Sequence, residues 1–181
     1  KAEIRAKADE AGLEVAHKSD SQDICFVPDG DYAAVIARLG VKSKQGNFVH
    51  MNGTVLGKHK GQLHYTIGQR KGLGVSYEYP LYVISKDMAT NTVVLGPNDA
   101  LFSKELWASN VNFITVDKLT EPMRVTAKAR YRMKDVPATI ESAEDGLVHV
   151  IFDEPQRAIT PGQAVVFYDG QYVVGGGIIE R

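Results

Sequence analysis

From Leu106 to Ile179 the sequence is cut by turn residues into short runs that alternate between apolar and polar, and few architectures accommodate that pattern. The runs are Ala108–Ile114, Met123–Tyr131, Ala138–Ser142, Leu147–Phe152, Ala164–Tyr168 and Tyr172–Ile179. Between them stand Glu121-Pro122, Asp145-Gly146, Thr160-Pro161-Gly162 and Asp169-Gly170. Alternation with a period of two is the mark of a strand with one face buried. Many short strands linked by turn residues predict a small closed antiparallel barrel, which removes the unpaired edges an open sheet would expose.

The preceding stretch is also β-rich. Asn47–His50 and Thr54–Lys58 flank Asn52-Gly53, a strong hairpin signal, because both residues tolerate the left-handed backbone of a tight turn. Leu81–Ser85 and Thr92–Leu95 flank a second turn, Asp87–Asn91. Before these, Asp29 is placed to cap a helix over Asp31–Leu39 that Gly40 stops. At the start, Ile4–Ala11 is rich in good helix formers, Gly12 is a C-cap, and Leu13–Ala16 is compatible with a short strand. A helix and strand of that size cannot bury an apolar face alone, so they are expected to be the remnant of a larger α/β domain. The chain also begins without Met and directly in helical pattern, as if cut from something longer. The expected fold is thus mainly β: a short α/β remnant over residues 1–22, a small central β-rich domain over 23–100, and a C-terminal antiparallel β-barrel over 101–181. The proline-containing stretch Pro97–Ser103 marks the second boundary.

Composition narrows the functional classes. Hydrophobic residues make up 44% of the chain, enough for real cores. The 21 basic and 22 acidic residues nearly cancel, which argues against a generally basic nucleic-acid coat but not against a local patch. No apolar run approaches the roughly 20 residues needed to span a bilayer, so no membrane role is expected. With a single cysteine there is no disulfide framework, which suits a reducing, cytoplasmic location.

That cysteine, Cys25, follows the polar run Lys18–Asp23 and precedes Pro28-Asp29-Gly30, a junction rather than the interior of an element. Two readings stand open: a buried small hydrophobe, or a reactive thiol working with a partner outside the chain. Two cationic segments are further candidates. Gly57–Gly74 concentrates glycines, Arg70 and Lys71, but lacks the Gly-Lys-Ser/Thr of a phosphate-binding P-loop. In Arg124–Lys134, a period of two places Arg124, Lys128, Arg130 and Arg132 on one strand face, roughly 6.7 Å apart per two-residue step. Such a row repels itself unless a polyanion or nearby carboxylates compensate it, with Glu141, Glu144 and Asp145 the candidates across the sheet. Thr160–Gln163 and Gly175-Gly176-Gly177 read as a turn and a crowded strand. No metal site is expected, since His50, His59 and His64 lack zinc-ligand spacing and only one cysteine exists.

Taken in order, Ser21-Gln22-Asp23-Ile24-Cys25-Phe26, Tyr65–Gly74, Ala129-Arg130-Tyr131-Arg132, Phe152-Asp153-Glu154-Pro155, Thr160-Pro161-Gly162-Gln163 and Gly175–Glu180 resemble the MnmA/TrmU family of tRNA-specific 2-thiouridylases. The resemblance runs the length of the chain but covers only the C-terminal part of that family. The family's ATP-binding loop and its earlier catalytic cysteine have no counterpart in these residues.

The resemblance implies an enzyme that adenylates the C2 oxygen of a wobble uridine with ATP and replaces that oxygen with sulfur. It implies that Cys25 carries the sulfur as a persulfide, loaded by a cysteine desulfurase or a sulfur-relay protein. The absent cysteine would release the sulfur and be left in a disulfide with Cys25. ATP would be held by the absent domain, so the fragment alone is expected to be inactive and to bind no cofactor of its own. For tRNA contact it implies Arg130, Tyr131 and Gln163, with Lys128, Arg132, Arg70 and Lys71 as further candidates from the cationic segments. Strict alternation would turn Tyr131 away from Arg130, so both reach RNA only if the strand ends or bulges there. The alternative class is a non-catalytic RNA-binding β module, in which Cys25 has no role. A protein-interaction barrel would leave Arg124–Lys134 indifferent to RNA.

Overall fold

The structure is a computed structural model that describes residues 2–17, 32–40 and 43–180, and it divides into two compact units, Lys1–Ser43 and Lys44–Arg181. Cys25 and the predicted cap Asp29 lie outside the described residues.

In the first unit, helix α1 (Ala2–Glu10) follows from its Ala, Glu, Lys and Arg content. It ends in a Schellman motif: Leu13 N–H donates to Ala8 O and Gly12 N–H to Asp9 O, both at 2.9 Å, with Gly12 at φ +66°. The predicted strand at Leu13–Ala16 is instead a 3-10 turn over Glu14–His17. No described strand lies beside it, so its backbone is satisfied locally, as in Ala16 N–H to Leu13 O at 2.9 Å. Helix α2 (Tyr32–Arg38) stops where Gly40 takes φ +86°.

The second unit opens with a four-stranded mixed sheet in the order β2-β1-β4-β3, built from β1 (Gly46–His50), β2 (Val55–His59), β3 (Tyr82–Asp87) and β4 (Thr92–Gly96). The Asn52-Gly53 hairpin joins β1 to β2 as expected, with Thr54 N–H donating to Asn52 Oδ1 at 3.0 Å. Asp87 organises the β3–β4 turn. Its carboxylate accepts from Thr90 Oγ1 at 2.7 Å and Ala89 N–H at 2.9 Å, and the bonds from Thr90 hold it below the usual carboxylate range. β1 and β4 run parallel, so the hairpins are locked together by a long-range pairing in which Asn47 faces Thr92. The core of this layer is Phe48, Tyr65, Leu73, Leu81, Val83, Val93 and Leu95. His59 is buried against it, with Nδ1 accepting from Gly61 N–H at 3.0 Å and Nε2 lying 3.1 Å from Asn91 O. His50 Nε2 lies 2.9 Å from Tyr79 Oη.

A 3-10 turn at Asn98–Leu101 leads into the barrel, made of β5 (Phe102–Phe113), β6 (Met123–Lys128), β7 (Val136–Ser142), β8 (Val148–Arg157), β9 (Ala164–Asp169) and β10 (Tyr172–Ile179). It is closed in the order β10-β5-β8-β7-β6-β9, and every pair is antiparallel. Leu106, Ile140, Val150, Phe152, Val165, Phe167 and Ile179 fill its interior. The glycine triplet is explained by crowding: a Cβ on Gly177 would stand 2.6 Å from both Ser109 O and Val111 Cγ2. Among the described residues no helix is long and apolar enough to cross a membrane.

Candidate nucleic-acid interface

Strand β6 keeps the predicted alternation as far as Lys128: Val125 and Ala127 are buried, while Arg124, Thr126 and Lys128 are exposed or half-buried. There the strand stops. Lys128 has Val166 as its last cross-strand partner, and the chain must turn back so that Val136 can face Ala127. Arg130–Met133 forms part of that reversal, with Met133 N–H donating to Arg130 O at 3.1 Å. The row of four cations on one strand face is therefore corrected to two on the strand, Arg124 and Lys128, and two in the turn after it, Arg130 and Arg132.

Arg124 has an internal partner. Its Nη1 and Nη2 reach Asp153 Oδ1 and Oδ2, both at 2.8 Å, and Nη1 also donates to Thr139 Oγ1 at 3.0 Å. These bonds raise the Arg124 pKa and hold the Asp153 carboxyl below its usual range. Asp135 accepts from Thr126 Oγ1 at 2.6 Å, which chiefly lowers its carboxyl pKa, and it also feels the Lys128 charge, so the carboxylates facing the β6 cations are Asp153 and Asp135 rather than the predicted Glu141, Glu144 or Asp145.

The turn is different. The Arg130 guanidinium is half-buried, donates through Nη2 to Ala158 O and, at 3.4 Å, to Thr160 Oγ1, and leaves a buried Nε without a partner. Burial, and secondarily the nearby Arg157, hold Arg130 below the ordinary arginine pKa, though it stays a cation at any physiological pH. Tyr131 is 93% exposed, and Lys128 Nζ sits 5.8 Å from the centre of its ring. Gln163 is exposed on the Thr160–Gln163 turn, which is pinned to β10 by Gly162 N–H to Ile179 O at 2.7 Å and Ile179 N–H to Gln163 O at 2.8 Å.

Lys128, Arg130, Tyr131, Arg132 and Gln163 all line one open cleft of about 670 Å³, together with Thr66 and Ile67 from the loop that follows β2. Three cations, an exposed ring and an amide around one concavity make a surface able to take phosphates and an unpaired base. Arg70 is not in this cleft: it borders a separate one of about 710 Å³ under Gly72–Leu81. Lys71 lines neither; its carbonyl accepts from Gln69 Nε2 at 2.9 Å. Sequence reasoning did not single out Thr66, Ile67, Thr160 or Tyr168 as lining residues, although Thr66 and Ile67 lie inside the Tyr65–Gly74 block and Thr160 inside the Thr160–Gln163 block.

Three family models match consecutive stretches: a tRNA methyl transferase HUP domain over residues 1–29, a tRNA methyl transferase PRC-barrel domain over 35–97, and an aminomethyltransferase β-barrel domain over 103–179. The chain is 58% identical over 181 residues to the tRNA-specific 2-thiouridylase MnmA of Acetivibrio thermocellus, which covers 99% of this chain and 50% of the relative. The chain belongs to the MnmA/TrmU family. Other MnmA relatives are those of Clostridioides difficile, 54% identical over 179 residues, and Halothermothrix orenii, 50% identical over 185, which cover 98% and 100% of this chain. It spans about half the length of these MnmA relatives, 50% and 51% of the two just named.

Proposed function

We propose that the full protein is a tRNA-uridine 2-sulfurtransferase that makes 2-thiouridine, with this chain supplying much of the tRNA-binding surface and the sulfur-carrying thiol. The carrying observation is identity above 50% along nearly the whole chain to relatives named tRNA-specific 2-thiouridylase. The cleft lends support, since Arg130, Tyr131 and Gln163 share one wall system with Lys128 and Arg132.

In this reading Tyr131 stacks on an unpaired base and the cations take phosphates. Cys25 carries sulfur as a persulfide received from a cysteine desulfurase or a relay protein, in the cytoplasm. Residues 1–22, 23–100 and 101–181 act as the edge of the catalytic domain, the central domain and the tRNA-contacting barrel. The ATP that such thiolation consumes does not fit the described residues at the start of the chain: Ala2–His17 holds one glycine and no hydroxyl side chain with which to cradle a triphosphate, and Gly57–Gly74 lacks the Gly-Lys-Ser/Thr of a P-loop. ATP binding is assigned to residues outside this chain, and the 181 residues alone are expected to be inactive.

The test uses the full-length protein with ATP, a persulfide donor and unmodified tRNA, followed by nucleoside analysis. Wild type is expected to yield 2-thiouridine. Cys25→Ser is expected to yield none while retaining tRNA affinity, because the hydroxyl cannot hold a persulfide sulfur. A methylated nucleoside in place of 2-thiouridine would overturn the reaction class, and a fully active Cys25→Ser variant would remove Cys25 from it.

A further inference from the structure

We propose that Arg157 and Arg130 together seat a single phosphate of the bound RNA, which makes Arg157 a phosphate-binding residue at the junction of the mixed sheet and the barrel. The inference rests on the tRNA-binding reading above and adds to it a residue that neither strand alternation nor resemblance singles out.

Both guanidinium groups lie near Ala158. Arg130 Nη2 donates to the carbonyl oxygen of Ala158. A Cβ built on Gly68 would stand 3.3 Å from the Ala158 Cβ and 3.4 Å from Arg157 Nη1, so Ala158 and the Arg157 head meet the same small residue. Ala158 itself is held at φ +54°, a backbone conformation an alanine rarely adopts, with its N–H on Leu101 O at 2.7 Å. This strained residue keeps its carbonyl on Arg130 while its chain neighbour, Arg157, reaches over the Tyr82 ring of the sheet.

Neither arginine is compensated. Among the described residues, neither forms an ion pair with a carboxylate, in contrast to Arg124. Arg157 spends its Nε–H on the neutral Asn98 Oδ1 at 3.1 Å and lies with its guanidinium carbon 5.5 Å from the Tyr82 ring centre. Arg130 holds a buried Nε that nothing accepts from. Their proximity is felt electrostatically, since Arg157 is one of the two causes that depress the Arg130 pKa.

Two like charges beside one residue, with donors to spare, ask for an anion with several acceptor oxygens. A phosphodiester supplies one negative charge and two unshared oxygens in a spacing that a guanidinium fork engages well. Arg130 lines the cleft together with Lys128, Tyr131 and Arg132, so RNA lying in it can bring a backbone phosphate to the Arg130 guanidinium, with Arg157 reaching that phosphate from beyond the lining residues.

The test is equilibrium binding of unmodified tRNA to the full-length protein across a range of salt concentrations. Arg130→Ala and Arg157→Ala are each expected to weaken binding and lower the salt slope by about one. The double variant is expected to lose about one in slope as well, because both side chains hold the same phosphate. Arg157→Lys keeps the charge but not the fork, so several-fold weaker binding at a near-native slope is expected. Asn98→Ala breaks the neutral contact of Arg157 and is expected to lower the melting temperature while leaving the slope unchanged.

A native slope and affinity for Arg157→Ala would make Arg157 mere mortar between the two layers, and native affinity for Arg157→Lys would deny the fork. Losses that add to about two in the double variant would mean two phosphates and overturn the shared seat. Wild-type protein that fails to bind tRNA would instead defeat the functional reading on which this one stands.

Discussion

Arg124 and Arg130 stand six residues apart, on a segment whose alternation predicts the same environment for both, yet the fold treats them in opposite ways. Arg124 lies on the wall of the barrel, exposed to water and forked onto Asp153. Arg130 lies in the turn at the barrel's end, half-buried, bonded to a carbonyl and a hydroxyl, and close to a second arginine rather than to a carboxylate. An arginine with its own carboxylate is electrically finished. One that keeps its charge and spare donors while surrendering water is finished only by something the chain does not contain. The number of cations along a segment is thus a poor guide to a nucleic-acid surface, and the number left without internal partners is a better one.

The largest expected effect falls on the ring beside Arg130. Tyr131→Ala in the full-length protein is expected to weaken tRNA binding by about 1–3 kcal/mol if the ring stacks on a base. The salt slope should stay native, because no charge is lost. Tyr131→Phe should bind as wild type, and a slope that fell with the ring would mean that the turn itself had moved.

A smaller effect is expected from Gly68→Ala, which tests whether the turn and the sheet are fitted to one another. Gly68 has φ +85°, and its new Cβ would press on Ala158 and Arg157. A loss of about 1–2 kcal/mol in stability is expected from the backbone alone, read as a lowered melting temperature. Weaker tRNA binding should accompany it as Arg157 is displaced. A native melting temperature would show that the contact at the junction is loose.

The smallest effect should come from Arg124→Ala. Its tRNA affinity and salt slope are expected to match wild type, which would make it the control for every substitution in the cleft. A slight stability loss is expected at neutral pH. The Asp153 carboxyl is held low when folded, so its contribution is present above the unfolded value of about 3.9 and fades as pH falls through the folded one. The melting temperatures of wild type and Arg124→Ala should therefore converge in strong acid. A fall in tRNA affinity for Arg124→Ala at neutral pH would erase the distinction between the two arginines.

Much of this molecule was legible in the sequence wherever local chemistry decides. The Asn52-Gly53 hairpin, the six strands of the barrel and the inward set Val125 and Ala127 follow from turn residues and a period of two. The end of β6 did not follow, because it depends on which residue of β7 faces Ala127, and that register is fixed by pairing with β8 and β9 rather than by anything local. The same ignorance of register hid Asp153 as the partner of Arg124, since it lies on β8, with β7 in between. Leu13–Ala16 had strand-like residues but no described partner, and took the 3-10 form. The gathering of Lys128, Arg130, Tyr131, Arg132 and Gln163 around one cleft is a product of barrel closure, which brings the Thr160–Gln163 turn beside the end of β6.

The closing strand also has a bearing on how the protein is made. β10 is hydrogen-bonded on one side to β5, the first strand of the barrel, and on the other to β9. Until it has left the ribosome, the preceding five strands can form only an open sheet with two bare edges and a half-covered core. Synthesis that halts in the Asp169-Gly170 turn before β10 would therefore release a species with sticky borders rather than a slightly shortened barrel. Emergence of β10 is, in effect, the moment at which the nascent barrel loses the bare borders that chaperones and proteases recognise.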